Sequence, residues 1–386
     1  MGSDGPTALA PRISAIAITA SQALDSRRSR AGALWGQAHS ESSPSVKLLR
    51  EGAPAQAVLE RRRGQGKDRN MRNEILIAGA LGAVAGACAS NNAAAQDVSG
   101  EAVRSSVDQD GSSATMLVAR IEQILQTKGS MSNGVLEMSI ARTDIGKVAG
   151  PLGATFTPAF EIHGDLHFQM LGRGQALLNA DMALREDETN PFIAALLEQG
   201  LVLQAFHQHT PMNPQIWFVH FRGIGDPLAL ARKCRAAIGV THTPMPQPPP
   251  PQNPTSPLDP KQLSDILHGD ARVGDEGVVT VTVDRTNLVR IEGLRVSPEA
   301  GISTTIEFKP TGGSNAEVVP DFSMTSAEAT PVVRRMLLDL HWAQGCLYNQ
   351  ETAESPQLYF DHMVKIGDAY QLAREIRKGL DLTHAD

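Results

Sequence analysis

The sequence predicts an α+β fold: two tandem repeats of an α-β-β-β-α-β-β-α unit with mainly antiparallel sheet, joined by a Pro-rich linker. Three observations carry that prediction. First, three pairs of blocks match in register. "GVLEMSIARTD" from Gly134 matches "GVVTVTVDRTN" from Gly277. "ADMALREDETNPFIAALLEQG" from Ala180 matches "PDFSMTSAEATPVVRRMLLDL" from Pro320, and "PQIWFVHFRGIGDPLALARKCRAAI" from Pro214 matches "PQLYFDHMVKIGDAYQLAREIRKGL" from Pro356. Asp181, Glu188 and Pro191 thus stand 140 residues before Asp321, Glu328 and Pro331; His220, Asp226 and Arg235 stand 142 before His362, Asp368 and Arg377. Second, "THTPMPQPPPPQNPTSPLDP" at 241–260 has the composition of an extended, semi-rigid linker. Third, each copy interleaves helical and period-2 apolar spacing in an order that suits an antiparallel sheet with helices. The repeats are placed at 112–240 and 261–384.

Within the first repeat, Leu117, Ile121, Ile124 and Leu125 have the spacing of one helix face, and Leu263, Ile266 and Leu267 are their counterparts. A strand is expected near Val135–Ala141, then two more near Phe160–Gln169 and Ala176–Leu184. A helix should begin near Glu188, with Pro191 in its first turn, where a missing N–H costs little. Leu201–His209 and Ile216–Arg222 read as a hairpin. The closing helix opens at "GDPLALA", with Asp226 as N-cap. In the pairing of copies, Cys234 falls on Ile376 and Cys346 on Phe206, so both thiols read as core residues.

The net charge of −7 is unevenly spread. Residues 1–70 hold 11 Lys/Arg and 6 Asp/Glu, 71–95 are neutral, and 96–386 therefore carry −12. So acidic a body argues against a nucleic-acid partner, which requires a basic face. "MRNEILIAGALGAVAGACASNNAAAQ", from Met71, reads as a signal peptide over 71–95: a short polar start, a brief apolar run, then the A-x-A of Ala93 and Ala95. The run is shorter than a bilayer span, so no transmembrane span is expected after processing. "VAGAC" offers a rival, a lipid anchor at Cys88, but with Ala85 where a large aliphatic residue is expected. Residues 1–70 read as a disordered basic extension, or as sequence upstream of a true start at Met71. These features together predict an exported protein, periplasmic or extracellular.

"GVLEMSIARTD", "DMALREDETNP", "AFHQH" and "HFRGIGD" together resemble the LppY/LpqO lipoprotein family, over about 115–384 and in both copies. The resemblance implies export and this fold, and no particular activity. Members commonly carry His-Asn-His where this chain has His207-Gln208-His209; the central residue faces away from its neighbours, so a site built from the outer two survives the change.

Three histidines mark the candidate site. On a strand, residues i and i+2 share a face, so Leu203, Ala205, His207 and His209 should point together, and His220 should join them from the next strand. Three neutral imidazoles with an open position form a known zinc arrangement, and His207, His209 and His220 are the expected ligands of a divalent metal such as zinc. The plainer alternatives are a metal-free pocket for a small polar ligand, or buried histidines with structural hydrogen bonds. Aligned with the second copy, His207 and His209 fall on Leu347 and Asn349; only His220 recurs, as His362. A site confined to the first repeat would diverge in this way.

A second cluster lies in "FEIHGDLHFQ", where Glu161, His163, Asp165 and His167 alternate on one face. A solvated polar face is its plainer reading. Asp181, Glu186, Asp187 and Glu188 precede a helix, where acidic residues suit the helix dipole. In a metal-dependent hydrolase, Asp165 or Glu188 could serve as base; the competing class is a non-catalytic protein binding an envelope component. Other chemistries lack their motifs. The H-x-H is not followed by a cupin Glu, and no H-E-x-x-H, G-x-S-x-G, P-loop or dinucleotide fingerprint occurs. "HGDLH" ends in His167, not the Asp of H-x-x-x-D metallopeptidases.

Overall fold

The computed structural model describes residues 113–385. The extension 1–70, the leader 71–95 and Cys88 lie outside them. The first repeat runs α1 (113–125), β1 (Gly129–Ser132), β2 (Val135–Ala141), β3 (Val148–Ala149), β4 (Thr155–Phe156), β5 (His163–Gly172), β6 (Gln175–Leu184), α2 (Glu186–Glu198), β7 (Val202–His207), β8 (Trp217–Gly225) and α3 (Pro227–Ile238). The second runs α4 (Pro260–Leu267), β9 (Asp270–Val273), β10 (Val279–Val283), β11 (Val289–Ile291), β12 (Leu294–Val296), β13 (Thr304–Gly312), β14 (Asn315–Thr325), α5 (Ser326–Arg334), β15 (Ala343–Asn349), β16 (Glu354–Ser355), β17 (Leu358–Asp368) and α6 (Ala369–Leu380).

The α+β class holds. Each repeat forms a six-stranded sheet, ordered β1-β2-β5-β6-β8-β7 and β15-β17-β14-β13-β10-β9, and every pairing in it is antiparallel. Each repeat has more strands than expected. The edge strand β1, "GSMS", is mostly exposed and shows no apolar alternation, so its sequence carries no strand signal.

One face of each sheet is covered by its own helices. In the first repeat Ile121, Leu125, Phe192, Leu196, Leu230 and Cys234 pack on Leu136, Leu166, Leu178, Met182 and Phe221. Cys234 is the core residue the sequence predicts. Leu263, Phe322, Val332 and Ile376 belong to the corresponding core of the second repeat. The other faces meet each other. Phe156, Phe218 and Ala183 of the first repeat share a cluster with Val278, Val319 and Val364 of the second; Val135 and Leu177 join Ile291, Ile302 and Phe360. The layers therefore run helix, sheet, sheet, helix. On β6, Ala180 and Met182 face the helices, while Leu177, Asn179, Asp181 and Ala183 face the other repeat. Polar residues at these alternate positions look into the joint between repeats, not into solvent.

Local capping follows the sequence. Asp226 accepts from the Ala229 N–H at 2.7 Å, and its counterpart Asp368 from Gln371 N–H at 2.8 Å. Helix α2 begins at Glu186, two residues before the expected start, so Pro191 is its sixth residue and lies beyond the first turn. The carbonyl it leaves free, on Asp187, lies on the exposed side of the helix. The linker has no helix or strand over 241–259. It is tied to the first repeat through Gln247, whose side chain accepts from Ala141 N–H at 3.0 Å.

Candidate metal centre at the joint between repeats

β7 and β8 form the predicted hairpin, but Leu203 opposes Phe221 while Ala205 opposes His220. Gln204 is an extra residue, a β-bulge, and a bulge reverses which side chains face which side. Leu203 therefore joins the helix-side core, whereas Ala205 and His207 share the joint face with Phe218 and His220. The expectation that Leu203 points with the histidines fails for this reason. His209 lies just past the strand end, with its ring stacked on Phe218 and on His362 of the second repeat, centroids 3.3 and 3.7 Å away.

The three predicted ligands do meet. One ligand atom from each of His207, His209 and His220 lies within 4.8 Å of the others. His207 Nε2 and His220 Nε2 are 2.9 Å apart, near the ~3.3 Å that two nitrogens would have on a tetrahedral ion at about 2 Å. Tyr348 Oη stands 3.3 Å from His220 Nε2. Cys346 Sγ lies 3.6 Å from His207 Nδ1 and 3.5 Å from His362 Nδ1. Burial holds His207 down at about 4. Burial, then the neighbouring imidazoles, hold His209, His220 and His362 well below the ordinary histidine value. At neutral pH all four are uncharged, the state a metal requires. His209 Nε2 is buried and has no hydrogen-bond partner among the described residues.

Carboxylates surround this core. His209 Nδ1 is 3.2 Å from Glu161 Oε2. Glu161 lies outside β5, at φ +73°, so it is not part of the regular alternation expected with His163, Asp165 and His167. Its backbone N–H instead donates to Glu307 of the other repeat at 3.0 Å. Asp181 accepts from Asp165 N–H at 2.8 Å, and Asp321 Oδ1 is 3.5 Å from His362 Nδ1. Burial first, then mutual repulsion, raises Glu161 and Asp321 well above the carboxylate range and brings Asp181 to about 7. Among the described residues no Lys or Arg pairs with Glu161, Asp181, Glu307 or Asp321. Beside them opens a cavity of about 790 Å³ lined by both repeats; ten of its lining residues are Asp or Glu and two are Lys or Arg, so it favours cations.

A family model described as Domain of Unknown Function (DUF1259) matches residues 119–240 and again 261–382. The chain belongs to the DUF1259 family. Comparison with curated proteins and with solved structures returned no match.

The two DUF1259 repeats can be paired through their strands. Phe206 opposes Val219 and Leu347 opposes Asp361, and the two β7-type residues are similarly exposed, at 45% and 49%. His207 thus corresponds to Tyr348, His209 to Gln350 and Cys346 to Ala205. The sequence pairing over this strand is off by one: the spacing between copies is already 141 at Leu203 and Gln344, because one residue has been gained before the strand, where the second copy carries a π-helical turn at Arg335–Asp339. Cys346 is consequently half-buried between His207 and His362 rather than a core residue. Gly345 occupies the bulge position of Gln204, and a Cβ there would collide with the backbone oxygens of His209 and His362.

The second predicted cluster divides. His163 and Asp165 line the cavity, 3.6 Å apart. Burial lowers His163, but Asp165, Glu307 and Asp181 more than offset it and raise it overall. His167 lines the cavity beside Gly301. Glu188 is elsewhere, at the entry of α2. It holds the fully buried Arg142 at 2.7 and 2.9 Å, caps Arg185 N–H at 2.9 Å and accepts His242 N–H at 2.7 Å. Arg285, Glu328 and His384 repeat this arrangement. Glu188 is therefore a structural anchor, not a base. Sequence reasoning missed Asp321, Glu307, Tyr348 and Cys346, and took His362 only as the counterpart of His220. The polar pairs Asp181/Asp321 and His220/His362, recurring on the apolar strands of both copies, were the available signal.

Proposed function

We propose that this exported, LppY/LpqO-like protein binds a divalent metal ion at the joint between its repeats, through His207, His209 and His220. The observation that carries the reading is the convergence of three neutral imidazoles, two buried and one half-buried, one of them with a nitrogen that has no partner among the described residues. Nitrogen donors of this kind suit zinc and its first-row neighbours. To test it, full-length protein is stripped with a chelator, titrated with zinc, and measured by elemental analysis and calorimetry. Zinc should be retained by the wild type and lost on His207→Ala plus His209→Ala. Equal retention by the two proteins would remove the reading.

The adjoining cavity favours an extension to metal-assisted hydrolysis. A bound metal would supply Lewis acidity. Asp165 and Asp181 line the cavity, and Asp181, at about 7, is suited to accept a proton near neutral pH. A panel of esters, amides and phosphate esters, read with wild type and Asp181→Asn, separates hydrolysis from binding alone.

A further inference from the structure

A second donor set lies beside the first. Glu161, His209 and His362 are all buried, and one ligand atom from each lies within 4.8 Å of the others. We propose that the protein holds a second divalent cation on Glu161, His209 and His362, so that the joint is a two-cation centre sharing His209. This rests on the reading of His207, His209 and His220 as a metal site.

Three observations support it. His209 is 8% exposed; its Nδ1 faces Glu161 at 3.2 Å while its Nε2 has no partner among the described residues. A ring that loses its remaining N–H proton to solvent and bridges the two cations as an imidazolate gives one nitrogen to each set and leaves neither unsatisfied, and a buried unsatisfied nitrogen is costly. The charge points the same way. A cation on three neutral imidazoles takes no carboxylate as ligand, whereas one on the second set takes Glu161 and lies next to the Asp321 that faces His362. Finally, a carboxylate stands beside His362, where metal-bound histidines usually have one: Asp321 Oδ1, buried with no hydrogen-bond partner among the described residues, is 3.5 Å from its Nδ1. One carboxylate and two imidazoles suit zinc, manganese, iron or cobalt.

The test counts ions on the full-length chain, stripped and then loaded with zinc. Wild type should retain two per chain. Glu161→Gln and His362→Asn should each retain one, and so should His207→Asn combined with His220→Asn. Copper(II)-loaded wild type should give a spin-coupled pair by electron paramagnetic resonance, a readout that needs no variant, and each variant should revert to an isolated copper signal. One zinc in the wild type, unchanged by Glu161→Gln or His362→Asn, overturns the second site and leaves the first standing. Two zincs that both survive those substitutions overturn the ligand assignment. No zinc in the wild type overturns both sites.

Discussion

Two regions of this protein bury ionisable side chains, and they do so in opposite ways. At the start of α2, Arg142 and Glu188 face each other fully buried, and Arg285 and Glu328 do the same at α5. Each charge has its counter-charge and each lone pair a donor, and the arrangement is the same in both repeats. At the joint, Glu161, Asp181, Glu307 and Asp321 gather with imidazoles and, among the described residues, pair with no Lys or Arg, and the copies differ: His207 against Tyr348, His209 against Gln350. A balanced, duplicated cluster serves the fold that both repeats share. An unbalanced cluster that differs between copies costs stability unless something else binds there, which is why the joint is where we propose a metal.

The contrast breaks hardest at Arg142. Arg142→Met leaves Glu188 buried without its partner, and thermal or urea unfolding should show a loss of about 3–5 kcal/mol. Zinc retention by whatever fraction remains folded should be unchanged. Acid should act next. Burial works against the Glu188 and Glu328 carboxylates, but backbone N–H donors and the arginine charges hold both at about 2. A carboxyl depressed in the fold stabilises above its unfolded value and loses that contribution as pH falls through its folded value. Stability should therefore fall between roughly pH 4.5 and pH 2, by about 3 kcal/mol for each group, followed by circular dichroism. The joint should show the reverse sign. Asp181 is raised from 3.8 to about 7, so the metal-free fold loses stability as pH rises from about 4 to about 7, and the loss is complete above that. Asp181→Asn should raise the melting temperature of the stripped protein at pH 8, by an increment on the order of 1 kcal/mol. A lower melting temperature would mean that the joint is charge-balanced without a metal.

Much of the fold was legible. The duplication, the β2, β6 and β8 strands, the hairpin and the Asp226 cap follow from periodicity and end signals, which are local. The arginines of "RTD" and "RTN" and the glutamates 188 and 328 were visible as recurring residues, but their union across 46 and 43 positions of chain was not. The convergence of His207, His209 and His220 was legible because strand alternation and one hairpin bring them together. The rest of the site was not, since it depends on how one sheet packs against the other. The alternating polar residues of β5 suggested a wetted surface; a sequence pattern cannot distinguish solvent from a polar cavity between two sheets. The bulge at Gln204 also escaped notice, and so did the residue gained at the π-helical turn Arg335–Asp339, which hid the true counterparts of His207 and His209.

The location of the cluster between two covalently joined copies has an evolutionary consequence. Two separate but identical subunits, meeting face to face, must place the same residue on both sides of their common axis. A change that improves one half is imposed on the other, however badly it fits. Joining the copies by residues 241–259 removes that constraint. Tyr348 can stack on His207, centroids 3.6 Å apart, where a symmetric pair would set like against like. Glu161 can stand where its counterpart is Gly301, both with positive φ. The linker thus makes each side of the pocket separately mutable, and selection could shape two different walls around one guest.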